Sequence, residues 1–115
     1  MSALTDKLAA YGCNIDEAMG RFLNNEAFYA KCYGKFVNDK SFARLGETLQ
    51  AGDVRASFEA AHDLKGISAN MGITPVFELI VGLVEELRAG NMPPDAMDVY
   101  GKLVEMHKEL KAFAE

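Results

Sequence analysis

The sequence predicts an all-α fold, an up-down antiparallel four-helix bundle with short capping helices at its N-terminus. Apolar residues recur at the helical period of about 3.6, and no segment alternates with the period of two typical of a strand. Short connections between long amphipathic helices favour antiparallel neighbours. We expect one domain over residues 1–115, with main helices near 25–51 (bent), 53–71, 75–89 and 95–114.

Two short helices are expected before the bundle. The first is amphipathic and covers Ala3–Ala10. Asn14, with Glu17 three residues later, resembles a capping pair that opens the second helix, which continues through Phe22. These two helices are predicted to cover one end of the bundle.

Capping residues mark the ends of the longer helices. Asn25 is a predicted N-cap, and a bend is expected at residues 40–41. The next-to-last helix begins at Pro75, in the first turn, where a missing N–H does no harm, and Gly90 ends it. The final helix is expected over Ala96–Phe113.

One helix is predicted from Asp53, its N-cap, to Gly72, just past its end. Its core-facing stripe consists of Ala60, Leu64, Ile67 and Met71. His62 lies on the opposite side, facing solvent in the middle of the helix. Lys65 at i+3 and Gly66 at i+4 are its surface neighbours, so Lys65 is within reach of any group attached to the imidazole.

These two neighbours favour a functional histidine, although a lone histidine on a helix is usually a surface or capping residue. A glycine inside a helix costs about 1 kcal/mol relative to alanine. Gly66 therefore indicates that the space beside His62 must be empty. A nucleophilic ring, an adjacent cation and an open approach are what a phosphoryl group and a second protein would need.

This pattern resembles the histidine-containing phosphotransfer (HPt) domains, the relay proteins of multistep two-component signalling. The motif is His-x-x-Lys-Gly at residues 62–66, followed by Gly72. The flanking residues of the helix are also similar, and the likeness extends upstream over nearly the whole chain, through Leu8, Tyr11, Arg21, Tyr33 and Leu49. The resemblance implies the same helical bundle that the periodicity predicts.

The resemblance also implies a function and partners. His62 would accept a phosphoryl group from one response-regulator receiver domain and pass it to an aspartate on another, in a relay fed by a hybrid sensor histidine kinase. Lys65 would neutralise part of the charge. Mg²⁺ is expected on the receiver, so this chain would need no cofactor. The sequence contains no nucleotide-binding loop, so we expect a phosphocarrier without autonomous kinase activity.

One position departs from the family pattern. In related domains a glutamine or glutamate on the following helix often hydrogen-bonds the second nitrogen of the histidine. Counting without gaps places Val84 there, and valine cannot form that bond. Glu85 and Glu78 are candidate substitutes. Arg88 is a candidate second cation for the phosphoryl group, although a cation in the last helical turn also has a dipole explanation.

A docking surface is expected around the histidine. Phe58 and Ala69 form a small apolar platform beside His62, flanked by Arg55 and Glu59. An open alternative is that Phe58 leans into a neighbouring helix. His107 faces the core stripe of the last helix and is expected to be packed and hydrogen-bonded rather than to be a second phosphorylation site.

Composition excludes several classes of partner. The formal net charge of −5 disfavours nucleic acid and anionic membranes. Cys13 and Cys32 have no metal-type spacing, and no apolar run is long enough to span a bilayer. We expect a cytoplasmic protein with free thiols and no metal site. The family resemblance implies a monomer.

A rival interpretation is a helical docking module that binds receiver domains without being phosphorylated. The intact His62, Lys65 and Gly66 argue against it, because a scaffold needs no glycine inside this helix. The second rival is a generic helical interaction domain or a small enzyme. The enzyme would require a deep pocket or a second polar cluster, and the sequence offers neither.

Overall fold

The computed structural model describes residues 2–114, and within them the chain forms helices and connecting turns without strands. Seven helices lie in this described part: α1 (Ala3–Ala10), α2 (Ile15–Arg21), α3 (Glu26–Val37), α4 (Ser41–Gln50), α5 (Val54–Met71), α6 (Thr74–Arg88) and α7 (Ala96–Phe113). The all-α prediction is confirmed. Over residues 2–114, none of these helices combines the length and apolar character needed to cross a bilayer.

The predicted N-caps are confirmed. A side-chain oxygen accepts a backbone N–H of the first turn at the start of α2, α3 and α5, from Asn14, Asn25 and Asp53 respectively. Each such bond satisfies a backbone donor that the helix itself leaves unpaired. Local sequence therefore determines where these helices begin.

The expected single bent helix over 25–51 is wrong in detail, because α3 and α4 are separate helices. At the break, the Asn38 amide donates to the Gly34 carbonyl at 2.8 Å, and Asp39 Oδ1 accepts the Ser41 N–H at 2.9 Å. These short polar side chains offer the backbone local alternatives to the helical bonds. The predicted bend at residues 40–41 thus becomes an interruption at 38–40.

Helix α5 packs against α4 on one side and α6 on the other, and α7 also contacts both α4 and α6. Phe58 near the start of α5 meets Arg88 at the end of α6, whereas Ala69 and Phe77 line one cavity at the opposite ends. The two helices therefore run antiparallel.

A close approach fixes α4 against α7. The Tyr100 hydroxyl donates to the Phe42 carbonyl at 2.8 Å, and its ring lies over Gly46. A Cβ added at Gly46 would lie 2.5 Å from the Tyr100 ring, which is far inside van der Waals contact. Only glycine leaves room for this ring position.

The C-terminal end of α5 is held by side chains from the N-terminal helices. The Arg21 guanidinium donates to the carbonyls of Ala69 at 2.7 Å and Asn70 at 3.0 Å. The buried Tyr29 hydroxyl donates to the Met71 carbonyl at 2.7 Å. Terminal carbonyls without intrahelical partners are thereby satisfied. The short N-terminal segment thus positions the end of the helix that carries His62.

Candidate functional site

His62 lies in the middle of α5 and on its exposed face, as the sequence predicts. The side chain is exposed and forms no hydrogen bond within residues 2–114. Its one ring contact in that range is with Phe58, the residue one turn earlier, at 5.5 Å between centroids. The imidazole nitrogens are therefore accessible to a second molecule.

Lys65 places an unpaired cation beside the His62 ring, and Gly66 leaves an open space next to it. Lys65 is half-buried and has no ion-pair partner among the side chains of residues 2–114. A Cβ added at Gly66 would meet no atom within 4 Å. The glycine is therefore not required for packing within the described chain, and the space beside it is open to a group that approaches the helix from outside.

Arg88 approaches the same face from α6. Its guanidinium carbon lies 5.5 Å from the centroid of the Phe58 ring, on which it forms a cation–π contact. Its Nη1 also lies 3.5 Å from Glu85 Oε1. Glu85 is thus paired with Arg88 and forms no hydrogen bond with His62. Val84 is fully buried, so it does not reach the imidazole either.

Phe58 is half-buried, so part of its ring packs within the protein and part remains exposed. It packs at the edge of the core and against Arg88, as the alternative of leaning into a neighbouring helix required. The remaining exposed part lies beside His62. Exposed Ala69 lies almost two turns further along the same face of α5.

The charged rim is an ion-pair chain rather than a set of free charges. Glu59 lies between two arginines, with Oε1 at 3.6 Å from Arg55 Nε and Oε2 at 3.4 Å from Arg44 Nη2. Arg44 lies on α4, and sequence reasoning missed it. No local signal links Arg44 to a residue fifteen positions later on another helix.

The other reactive side chains are engaged elsewhere. His107 stacks on Phe42 at 3.8 Å between centroids, and its Nε2 donates to the Val37 carbonyl at 2.6 Å. This packed, hydrogen-bonded state is the one that the sequence predicts. Burial raises the pKa of Cys13 to about 11, so this thiol is not an active nucleophile. Across residues 2–114, no three potential metal ligands converge on one point.

A cavity near the site also escaped sequence reasoning. It has a volume of about 240 Å³ and lies where α2 meets the end of α5 and the start of α6. Its walls come from segments more than forty residues apart, so no sequence pattern announces it. The histidine itself stands on an open helical face.

This geometry suits transfer of a charged group to or from a macromolecule. The imidazole is a nucleophile, Lys65 is an available cation, and the open side at Gly66 admits a bulky reactant. The exposed position of His62 does not enclose a small substrate, because small-molecule sites are concave and bury most of their ligand.

One of the three comparisons with known proteins finds a match. The sequence model of the family described as "Hpt domain" matches residues 38–115, about two thirds of the chain. No curated protein and no solved structure matches. The family match begins at the break before α4, so the N-terminal likeness noted in the sequence lies outside it.

Proposed function

The chain belongs to the Hpt domain family, whose role is histidine phosphotransfer in phosphorelays, and from this premise we propose that His62 is the residue that carries the phosphoryl group. The observation that carries the proposal is the exposed imidazole with Lys65 on one side and the unfilled space of Gly66 on the other. The donors and acceptors would be aspartates of response-regulator receiver domains.

The proposed step is an in-line displacement at phosphorus. The lone pair of a neutral imidazole nitrogen forms the N–P bond, while the P–O bond to the donor aspartate breaks and the aspartate leaves as a carboxylate. The reverse step loads the next receiver. Charge on the phosphoryl oxygens is spread in a loose transition state, which Lys65 would stabilise.

The receiver would supply the remaining charge neutralisation. In this proposal the Mg²⁺ is held by carboxylates of the receiver domain. We further propose that the chain acts as a monomeric phosphocarrier in the cytoplasm, between a hybrid sensor histidine kinase and its regulators.

We also propose a topology for the bundle formed by helices α4 to α7. The contacts of α4, α5, α6 and α7 form a closed ring, and the connections between consecutive members are short. The opposite directions of α5 and α6 support an up-down antiparallel four-helix bundle. The helices α1 and α2 would then cap the end at which α5 finishes.

Transfer from a panel of phosphorylated receiver domains tests the proposed function. We expect label to move to this chain as an adduct that is labile to acid and stable to base, as a phosphohistidine is, and to map to His62. Receivers that bind without transferring label would show a docking module instead. If receivers neither bind nor transfer, this function is wrong.

Substitution of Gly66 separates stability from transfer. We expect Gly66→Ala to stabilise the fold by about 1 kcal/mol, because alanine is the better helix former and its Cβ meets no atom of this chain. Transfer from a receiver is expected to fall tenfold or more, because the methyl group occupies the approach to His62. Thermal unfolding and initial transfer rates measure the two effects.

Gly101→Ala is the matched control, because Gly101 is also exposed within a helix, with no atom within 4 Å of its added Cβ. It should give the same stabilisation and leave transfer unchanged. Native transfer rates in Gly66→Ala would show that the open space is not used.

We propose Arg88 as a second cation that stabilises the phosphorylated state. Arg88→Gln is expected to speed hydrolysis of the phosphohistidine roughly two- to fivefold, the range for an exposed ion pair. Glu85→Gln is the opposing variant: removing the carboxylate 3.5 Å from Arg88 should slow hydrolysis. Equal lifetimes in both variants and the native chain would contradict a role for Arg88.

A further inference from the structure

The cavity at the end of α5 is lined by both polar and apolar residues. Its charged side chains come from α2, and its apolar side chains come from α5 and α6. We call it the α2 notch, lined chiefly by Asn14, Glu17, Arg21, Ala69, Thr74 and Phe77. Of the apolar lining residues, Phe77 is half-buried and Ala69 is exposed.

The polar groups of the α2 wall already satisfy one another. Glu17 Oε1 accepts from Arg21 Nη1 and Oε2 accepts from the Asn14 amide, both at 2.9 Å. The other Arg21 donors bind the carbonyls of Ala69 and Asn70. Little charge remains to attract an ion, so the notch favours an apolar occupant.

One buried polar group remains unpartnered at the same place. Ser68 lines the notch, is fully buried, and its Oγ has no hydrogen-bond partner within residues 2–114. A buried hydroxyl without a partner carries a free-energy penalty of about 1–3 kcal/mol. Because this Oγ is itself shielded from solvent, an occupant of the notch does not reach it, and the hydroxyl does not offset the preference for an apolar occupant.

The notch lies on the face of the proposed phosphorylation site. Ala69 follows His62 by seven residues, so it lies on the same side of α5, about 10 Å along the axis. A protein interface of standard size covers roughly 800 Å² on each partner, a disc of about 16 Å radius. A receiver docked with such an interface centred on His62 would reach the notch.

We infer that the α2 notch receives an apolar side chain of the docked receiver domain and thereby contributes to the choice of receiver. This inference rests on the proposed function. A volume of about 240 Å³ is sufficient for one large side chain, since a cavity of about 150 Å³ holds benzene. A single anchor in a desolvated pocket is a usual source of interface affinity.

Filling the notch tests this inference. Ala69→Leu places a larger side chain at the opening, on an exposed helical position that tolerates leucine. The probe is a phosphorylated receiver that loads the native chain. We expect its KM to rise tenfold or more, and labelling by phosphoramidate, which needs no docking, shows separately whether the substitution disturbs His62 itself. Ala112→Leu, an exposed alanine on α7, is the matched control and should leave both reactions unchanged.

The outcomes separate the two proposals. Native KM values in Ala69→Leu would overturn the proposed role of the notch in docking, but they would not contradict the proposed phosphotransfer function. If neither the receiver nor phosphoramidate labels the native chain, both proposals are overturned.

A second measurement uses the native chain and does not depend on any variant's folding. Addition of the unphosphorylated receiver should shift the amide resonances of Ala69, Thr74 and Phe77 together with those near His62. Resonance shifts confined to the surroundings of His62 would overturn the inference that the receiver occupies the notch.

Discussion

His62→Gln is expected to abolish phosphoryl acceptance while leaving the fold intact. The imidazole forms no hydrogen bond within residues 2–114 and contacts one ring, so its loss should change the free energy of unfolding by no more than about 0.5 kcal/mol. Glutamine retains size and polarity but has no nucleophilic nitrogen. Label from a phosphorylated receiver or from phosphoramidate should fall to background.

The second histidine provides the reciprocal control. His107→Gln loses a parallel stack on Phe42 and disturbs the hydrogen bond to the Val37 carbonyl, so we expect a loss of about 1–2 kcal/mol in stability. The amount of label accepted by His107→Gln should equal that of the native chain at temperatures at which the variant is folded. Residual label in His62→Gln that disappears in the double variant would identify His107 as an acceptor and contradict the assignment.

Much of the fold could be predicted because its helix ends are encoded locally. Asn14, Asn25 and Asp53 cap helices through bonds that span three residues, and Gly72 ends α5 in the left-handed conformation. The exposed face of α5 likewise follows from the helical period alone. These features depend on neighbours a few positions away, so one sequence is sufficient to find them.

The features that were missed depend on contacts between distant residues. Arg21 reaches carbonyls 48 and 49 positions later, and Tyr29 reaches one 42 positions later. Neither residue has a local signature, because a guanidinium or phenol binds carbonyls wherever packing places them. Ile67 shows the same limit, since the helical period placed it in the core and the structure leaves it half-buried.

The ion pairs of the site follow the same rule. The sequence predicts Glu59 at the rim of the docking surface and Glu85 as a candidate partner of His62, but their ion-pair partners Arg44 and Arg88 are fixed by the packing of α4 and by side-chain conformation on α6. Exposed charges choose partners with free-energy differences of less than about 1 kcal/mol. Residue type and spacing therefore predict the exposure of His62 better than the ion pairs that surround it.

Gly72→Ala is expected to cause the largest loss of stability, because two separate effects act at this position. Its φ of +74° is costly for a residue with a Cβ, by about 1–2 kcal/mol. That Cβ would also lie 2.6 Å from the Asn14 carbonyl oxygen and 2.8 Å from Ala18 Cβ. The backbone bond from Asn14 N to the Gly72 carbonyl, 2.9 Å long, prevents a simple separation of α2 from α5.

Gly52→Ala isolates the conformational part of this loss. Gly52 has a similar φ of +69°, but its added Cβ would meet no atom within 4 Å. We expect a loss of about 1 kcal/mol for Gly52→Ala and about 3 kcal/mol for Gly72→Ala, measured by urea unfolding, the latter lowering Tm by roughly 10 °C. Equal losses would show that α2 moves aside without penalty. In that case the contact between α2 and the end of α5 would not stabilise the helix that carries His62.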